Sequence, residues 1–126
     1  MIDTVSITIW GRYFTLPVEY DCYQGESVTQ EQVDALKEFI TRDDWIAKAQ
    51  SQVECYCKDQ VLADESNSKK NNVFSYVIPE CVFVKRDSKH PRVVLMCRYR
   101  YDIEHGIAIV FSTDGFVSVG SQESVL

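Results

Sequence analysis

The stretch YDIEHGIAIVFSTDGFVSVGSQESVL (residues 101–126) contains a polar corner, an apolar strand, an Asp-Gly turn and a second strand. An Asp-Gly pair between two alternating runs is a strong hairpin signal, because both turn residues must tolerate a positive φ angle. We therefore predict strands at residues 107–112 and 116–119. Two earlier runs complete a four-strand meander: residues 81–85 and 93–101, joined by a turn at 87–91.

An opening hairpin is predicted at the other end of the chain. Apolar residues alternate with polar ones in residues 5–10 and 14–20, and Gly11-Arg12 stands between the two runs. Pro17 cannot donate a hydrogen bond to a neighbouring strand. Its strand should therefore lie at a sheet edge, or the missing bond should point to solvent.

Two helices are predicted between the hairpin and the meander. Thr29 and Gln32 form a capping box, which indicates a helix over residues 30–42. Asp43 can cap a second helix that extends to Asp64. Almost no chain separates the helices, so we expect a corner or a tight helical hairpin.

These elements predict one α+β domain, residues 1–126, in the order ββααββββ. An antiparallel sheet with both helices packed on one face would bury both sets of apolar residues. The predicted core residues are Ile7, Ile9, Leu16, Val18, Leu36, Ile40, Ile46, Val53, Val82, Val84, Leu95, Ile107, Ile109, Phe111 and Val117.

The composition excludes several classes of protein. With 45% hydrophobic and 25% charged residues among 126, the chain has an ordinary globular composition. Its apolar runs are too short to span a bilayer, and no basic segment precedes the first of them, so we predict neither a membrane association nor a signal peptide. Five cysteines without such a signal indicate reduced thiols and a cytoplasmic location. Cys55 and Cys57 should face opposite sides of the second helix.

No sequence motif of a known active site is present. The chain has no Gly-x-Ser-x-Gly nucleophile turn, no Gly-x-Gly-x-x-Gly and no Gly-Lys-Ser/Thr phosphate loop. We predict no catalytic residue, no cofactor and no metal. The cluster Lys85, Arg86, Lys89, Arg92, Arg98 and Arg100 could suggest nucleic-acid binding. The overall acidity opposes it, so no nucleic-acid partner is predicted.

The polar corner has two interpretations. Asp102, Glu104 and His105 could bind a metal or carry acid–base chemistry, which would make the protein a small metal-dependent hydrolase. They could equally be structural residues of a bend between strands, with Gly106 permitting an unusual backbone angle. No second His or Cys lies at ligand spacing nearby, so we favour the structural interpretation.

The charge distribution suggests a binding surface. The net charge is −6, and residues 1–65 carry thirteen acidic against five basic residues. Glu31, Asp34 and Glu38 share one side of the first helix, and Asp43 and Asp44 follow it. This set could be a solvated face. Alternatively, it could bind a basic protein, whose association such a field would accelerate.

A family resemblance rests on the C-terminal stretch. Asp102-x-Glu104-His105-Gly106, the following Ile-Ala-x-x-Phe and the later Val-Gly-Ser-Gln-Glu resemble the end of a small family of uncharacterised bacterial domains, D-x-E-H-G-[LI]-[GA]-x-x-F … V-G-x-Q-[DE]. Such domains are similar to immunity proteins of polymorphic toxin systems. The resemblance implies a bacterial, cytoplasmic protein without established catalysis.

The sequence thus favours a non-enzymatic binding protein, an immunity-type inhibitor whose acidic surface meets a basic, toxin-like partner. Two alternatives stay open. One is the metal-dependent hydrolase centred on Asp102, Glu104 and His105. The other is a structural module or a homodimer formed through an exposed edge strand.

Overall fold

The computed structural model describes residues 3–20, 27–63, 73–85, 93–112 and 117–122. The predicted order ββααββββ and the α+β class are confirmed. The elements are β1 (Asp3–Ile9), β2 (Arg12–Tyr20), α1 (Gln30–Thr41), α2 (Asp43–Ala63), a single 3-10 turn (Val73–Ser75), β3 (Val77–Val84), β4 (Val93–Tyr99), β5 (Ile107–Phe111) and β6 (Val117–Gly120).

The six described strands form one sheet in the order β1-β2-β3-β4-β5-β6. Neighbouring strands are antiparallel, except that β2 and β3 are parallel. The parallel pairing joins Val18–Tyr20 to Val82–Val84. Both helices lie in the connection between these two strands, because parallel strands need a long crossover.

The first hairpin turns one residue earlier than predicted. Ile9 pairs with Arg12, so the turn consists of Trp10 and Gly11, which have φ angles of 50° and 87°. Two positive φ angles give the twist that a two-residue hairpin needs. The prediction of a turn at Gly11-Arg12 was wrong because Trp is an uncommon residue at such a position.

Pro17 lies in a strand that is not an edge strand, which contradicts one of the two predicted possibilities. In a two-residue hairpin the pair next to the turn, here Ile9–Arg12, exchanges two backbone hydrogen bonds. The pairs beyond it alternate, so that the next pair exchanges none and the one after it exchanges two. Pro17 stands opposite Thr4, at one of the pairs without bonds. The pairing with β3 begins only at Val18. The proline therefore removes no bond from the ladder with β1.

The N-terminus of α1 confirms the predicted capping box. Thr29 Oγ1 accepts a hydrogen bond from the Gln32 backbone N–H at 3.2 Å, and Gln32 Oε1 accepts one from the Thr29 N–H at 3.0 Å. The Gln32 side chain is completely buried, and its Nε2 donates to the Val84 carbonyl at 3.1 Å. One side chain thus caps α1 and also attaches it to the end of β3.

A short joint connects the two helices. α1 ends at Thr41 and α2 begins at Asp43, which leaves only Arg42 between them and confirms that almost no chain separates the helices. Ile40 was predicted in the core, but 38% of it is exposed. Phe39 is completely buried instead and packs on Phe111 with ring centroids 5.0 Å apart. The spacing alone could not decide which of two adjacent apolar residues faces the sheet.

The second helix buries one stripe at helical spacing: Ile46, Ala49, Val53, Cys57 and Val61. Cys57 is buried and Cys55 is exposed, as predicted for thiols two residues apart. All the other predicted core residues are buried. No described helix combines the length and apolar character that a bilayer crossing requires.

The meander differs from its predicted boundaries mainly in β3. This strand begins at Val77, four residues earlier than predicted, and the pairing with β4 shifts register between Pro79 and Cys81. Proline in the run hid the start of the strand from pattern recognition. The predicted turns at 87–91 and 113–115 lie outside the described residues.

The helices cover only one face of the sheet, yet β4 and β5 are apolar on both faces. Every residue of β5 is buried. Val94, Met96, Ala108 and Val110 form a second, smaller apolar cluster apart from the main core. These two central strands therefore lack the alternation that a half-exposed strand shows.

Candidate functional site

The predicted acidic surface is partly neutralised where α1 meets α2. Arg42 Nη1 lies 3.3 Å from Glu38 Oε1, and its Nε and Nη2 donate to the two carboxylate oxygens of Asp44 at 3.1 and 3.2 Å. The guanidinium also stacks 4.7 Å over the Trp45 ring. The hydrogen bond from Arg42 lowers the pKa of Asp44 and raises that of Arg42. Because these groups are exposed, the ion pairs contribute little to the stability of the fold and mainly orient the side chains between α1 and α2.

The remaining predicted acids are less engaged. Glu31 and Asp34 are exposed on the side of α1 that faces away from the core. Asp34 accepts a hydrogen bond from Gln30 Nε2 at 2.9 Å, and neither acid forms an ion pair within the described part of the chain. Asp43 begins α2, and its side chain is outside the described set. The structure thus brings Glu38 and Asp44 together and leaves Glu31 and Asp34 open to solvent.

The polar corner after β4 is a bend closed by hydrogen bonds. Asp102 Oδ1 accepts a bond from the His105 backbone N–H at 3.2 Å, and both carboxylate oxygens lie 3.1 Å from His105 Nδ1. The Gly106 N–H donates to the Asp102 carbonyl at 2.9 Å. Glu104 is exposed. The chain forms a turn here and not the extended strand on which Asp102 and Glu104 would share a side.

The two halves of the C-terminal motif meet at this bend. The Gln122 backbone N–H donates to the His105 carbonyl at 3.1 Å, and Gln122 Nε2 donates to the Cys97 carbonyl at 3.1 Å. Gly106 has a φ of +61°, and a Cβ at this position would lie 2.6 Å from Gln122 Nε2 and 2.7 Å from the Cys97 oxygen. Glycine is therefore required here for its backbone angle and for its size. This arrangement gives the motif residues a structural task.

The geometry of the bend offers little for metal binding. Among the described residues no group of three or more His, Cys, Asp or Glu side chains is placed to hold a metal ion. The Asp102 carboxylate and His105 Nδ1 contact each other, and the two clefts described below include neither residue.

These residues and their connecting strands match a family model over residues 2–126. The chain belongs to DUF6985, a family of domains of unknown function. No curated protein and no solved structure matches it. The match covers the whole ββααββββ order, so the DUF6985 domain comprises the hairpin and helices as well as the C-terminal motif.

The DUF6985 domain also has a cleft that sequence reasoning missed. It has a volume of about 400 Å³ and lies between the tip of the first hairpin and the start of α2. The described residues that line it carry no charge: Thr8, Trp10, Gly11, Ile46, Ala47 and Gln50. The Trp10 indole donates to the Ile46 carbonyl at 2.8 Å, which fixes one wall. The only sequence signal was a tryptophan beside a glycine at the end of an alternating run.

A smaller cleft of about 230 Å³ lies near the second apolar cluster, lined by Glu19, Glu80, Cys81, Phe83, Met96 and Gln122. Glu80 contacts Arg98 at 3.4 Å, so this acid has a basic partner. Burial raises the pKa of the Cys81 thiol, and nearby Glu19 and Glu80 raise it further. The thiol therefore stays protonated and is a poor nucleophile at neutral pH.

Tyrosines cluster where α2 passes the end of β4. The Tyr99 hydroxyl donates to Gln60 Oε1, and its ring lies 5.6 Å from Tyr101 and 6.5 Å from Tyr56. Burial raises the pKa of Cys57, beside Tyr99, to about 11. A thiol and a phenol that both resist ionisation fit a packing role rather than acid–base chemistry.

Proposed function

We propose that this DUF6985 domain is a non-enzymatic binding protein that receives a basic segment of another protein on the outer side of α1. The observation that supports the proposal is the exposure of Glu31 and Asp34 on one side of a helix whose other side is buried. Both acids lie outside the Arg42 cluster, so they are available to an incoming cation. A negative surface of this kind accelerates association with a basic partner.

The resemblance of the C-terminal motif supports a more specific version of this function. In that version the domain is a bacterial, cytoplasmic immunity-type inhibitor, and its partner is a basic, toxin-like protein. The Asp102–His105 bend then serves as scaffold, since the Asp102 carboxylate, His105 Nδ1 and the His105 carbonyl are engaged within the bend or with Gln122.

The hydrolase alternative retains one supporting observation. Asp102 contacts His105 Nδ1 with both oxygens, which is how a carboxylate orients a catalytic imidazole. A short local bend produces the same contact without any catalytic role. Elemental analysis of purified protein separates the two, because a bound stoichiometric metal ion would support the hydrolase and contradict the scaffold.

A binding experiment tests the proposed function. The probe is the product of the gene next to this one in its native genome, and the readout is the association rate constant at low and high salt. We expect Glu31→Gln with Asp34→Asn to slow association about tenfold at low salt and to flatten the salt dependence. Glu54→Gln with Asp59→Asn on exposed positions of α2 is the matched control. A neighbour that does not bind, or binding unaffected by the α1 variant, would contradict the proposal.

A further inference from the structure

β1 is the first strand of the described sheet and has a neighbouring strand on only one side. The pairs Ile9–Arg12, Ile7–Phe14 and Val5–Leu16 exchange backbone bonds across the hairpin. Thr4, Ser6 and Thr8 occupy the intervening pairs, so their backbone N–H and C=O groups point away from β2. Their side chains are exposed, and no hydrogen bond from these outward backbone groups is found within the described residues.

Edge strands of soluble proteins are commonly protected by charge, proline or a bulge. β1 has none of these between Thr4 and Ile9, where its sequence is TVSITI. Its pairing with β2 is regular along its whole length. β6, at the other edge of the described sheet, has only four residues, Val117–Gly120. β1 is therefore the longer of the two described edges, and its backbone is open to pairing with a further strand.

The cleft beside Trp10, whose described lining residues are uncharged, adjoins the same edge. Thr8 near the end of β1 lines it together with Trp10, and α2 contributes Ile46 and Gln50 on the other side. A strand added beside β1 would direct one side chain towards this cleft, because successive side chains alternate between faces. An indole, an aliphatic side chain and a carboxamide suit an apolar or amide side chain. Trp10 has a positive φ of 50°, an unusual angle for a bulky residue, and its indole bond to α2 holds it there.

We propose that β1 accepts an extended, acid-poor peptide segment of another protein as a seventh strand, with one apolar or amide side chain of the peptide seated in the cleft beside Trp10. The backbone of β1 supplies affinity and the cleft supplies selectivity, as in other cases of strand addition. A second copy of this chain fits less well, because each copy carries a net charge of −6. This site is separate from the acidic side of α1 and does not depend on the function proposed there.

A displayed library of random ten-residue peptides, selected against the intact chain, provides the probe. The enriched peptides should alternate, contain few acids and lose at least tenfold in affinity for Ser6→Pro. Proline at this position removes an outward N–H while leaving the bonds to β2 in place. Ser6→Ala is the matched control, because both variants lose the 3.1 Å contact to Thr15 Oγ1 but alanine keeps the backbone donor. We expect Ser6→Ala to bind within about twofold of the parent.

Amide hydrogen exchange and a variant of the cleft test the two parts of the proposed site separately. In the free protein, amide exchange should be fast at Thr4, Ser6 and Thr8 and slow at Val5, Ile7 and Ile9. Ala47→Leu, which narrows the cleft, should weaken peptide binding while circular dichroism stays unchanged. A library without binders, or binders indifferent to Ser6→Pro, overturns the proposal. Protected edge amides in a protein that light scattering shows to be a dimer would assign the edge to a second copy and overturn it too.

Discussion

At the scale of single residues, a few positions determine how the chain turns. Gly106 is the clearest, because its φ of +61° favours glycine and a Cβ there would collide with Gln122 and Cys97. Gly11 has a positive φ of 87° as well, but a Cβ there would meet nothing within 4 Å. Substitution at Gly11 thus costs stability through the backbone angle alone, whereas substitution at Gly106 adds a steric collision.

Gly106→Ala should lower the free energy of unfolding by about 3 kcal/mol, because the new methyl group meets the Cys97 carbonyl in addition to the angular strain. Gly11→Ala carries only the strain and should cost about 1 kcal/mol. Urea unfolding monitored by circular dichroism measures both. Equal losses for the two variants would mean that the close approach to Gln122 and Cys97 is not real.

The two tryptophans differ in how their indole N–H is satisfied. Trp10 Nε1 bonds to the Ile46 carbonyl, whereas the buried Trp45 Nε1 has no acceptor among the described residues. We expect Trp10→Phe to cost about 1 kcal/mol for its lost bond. Trp45→Phe should be close to neutral, because the relief of an unpaired buried donor offsets the lost ring volume. Urea unfolding midpoints compare the stability of the two variants. A larger loss of stability for Trp45→Phe than for Trp10→Phe would contradict the prediction.

At the scale of elements, the fold depends on a few side chains that join one element to another. Gln32 belongs to α1 by sequence, but its amide also holds the end of β3 through Val84. Arg42 joins the two helices through Glu38 and Asp44. The bond from Gln32 links elements that are distant along the chain, whereas Arg42 joins two helices that follow each other directly.

Gln32→Ala should destabilise the domain by about 2–4 kcal/mol. It removes one half of the capping box and leaves the buried Val84 carbonyl without its partner. Gln30→Ala, two residues away on the exposed side, is the control and should cost less than about 0.5 kcal/mol, since within the described residues its side chain bonds to Asp34 alone. Thermal unfolding compares them, and a small loss for Gln32→Ala would show that the bond to β3 contributes little.

Much of this element-level structure could be predicted from the sequence. The capping box at Thr29 and Gln32 and the opposed faces of Cys55 and Cys57 followed from spacing alone, and both are confirmed. Local spacing could not give the bond from Gln32 to Val84, since that partner is 52 residues away. It also could not place Ile40, because Phe39 beside it is an equally good core residue.

The candidate site was less predictable for the same physical reason. The acids on α1 are exposed as helical periodicity indicates, but periodicity gave no sign that Arg42 would pair with two acids of the set. The cleft beside Trp10 forms only when the hairpin meets α2, so no contiguous motif encodes it. Their roles in binding stay predictions.

At the scale of the whole molecule, four buried thiol and phenol groups should make the folded state less stable at alkaline pH. Burial raises the pKa of Cys57 to about 11 and that of Tyr76 to about 12. It raises the pKa values of Cys97 and Tyr99 as well. All four are neutral when protonated, and the folded state holds their protons more tightly than the unfolded chain does.

These four groups should therefore leave stability unchanged between pH 7 and about pH 9, the ordinary pKa of a thiol, and lower it as the pH rises towards 11 and 12. Above the pKa that it has in the unfolded chain, each such group lowers the free energy of unfolding by up to about 1.4 kcal/mol per pH unit. Urea unfolding between pH 7 and 11 measures the slope. Cys57→Ala should make it shallower, whereas Cys55→Ala at an exposed site should not. A flat profile up to pH 11 would contradict the burial of these groups.

The parallel joint between β2 and β3 has a consequence for synthesis on the ribosome. Its three residue pairs bring together Val18–Tyr20 and Val82–Val84, which lie about half the chain apart. The first hairpin can form as soon as it emerges, but it cannot attach to the meander until both helices and β3 have been made. During that interval the nascent chain carries a hairpin in which both strands have an unpaired edge. The edge beside Val18 must stay unpaired until β3 has been made.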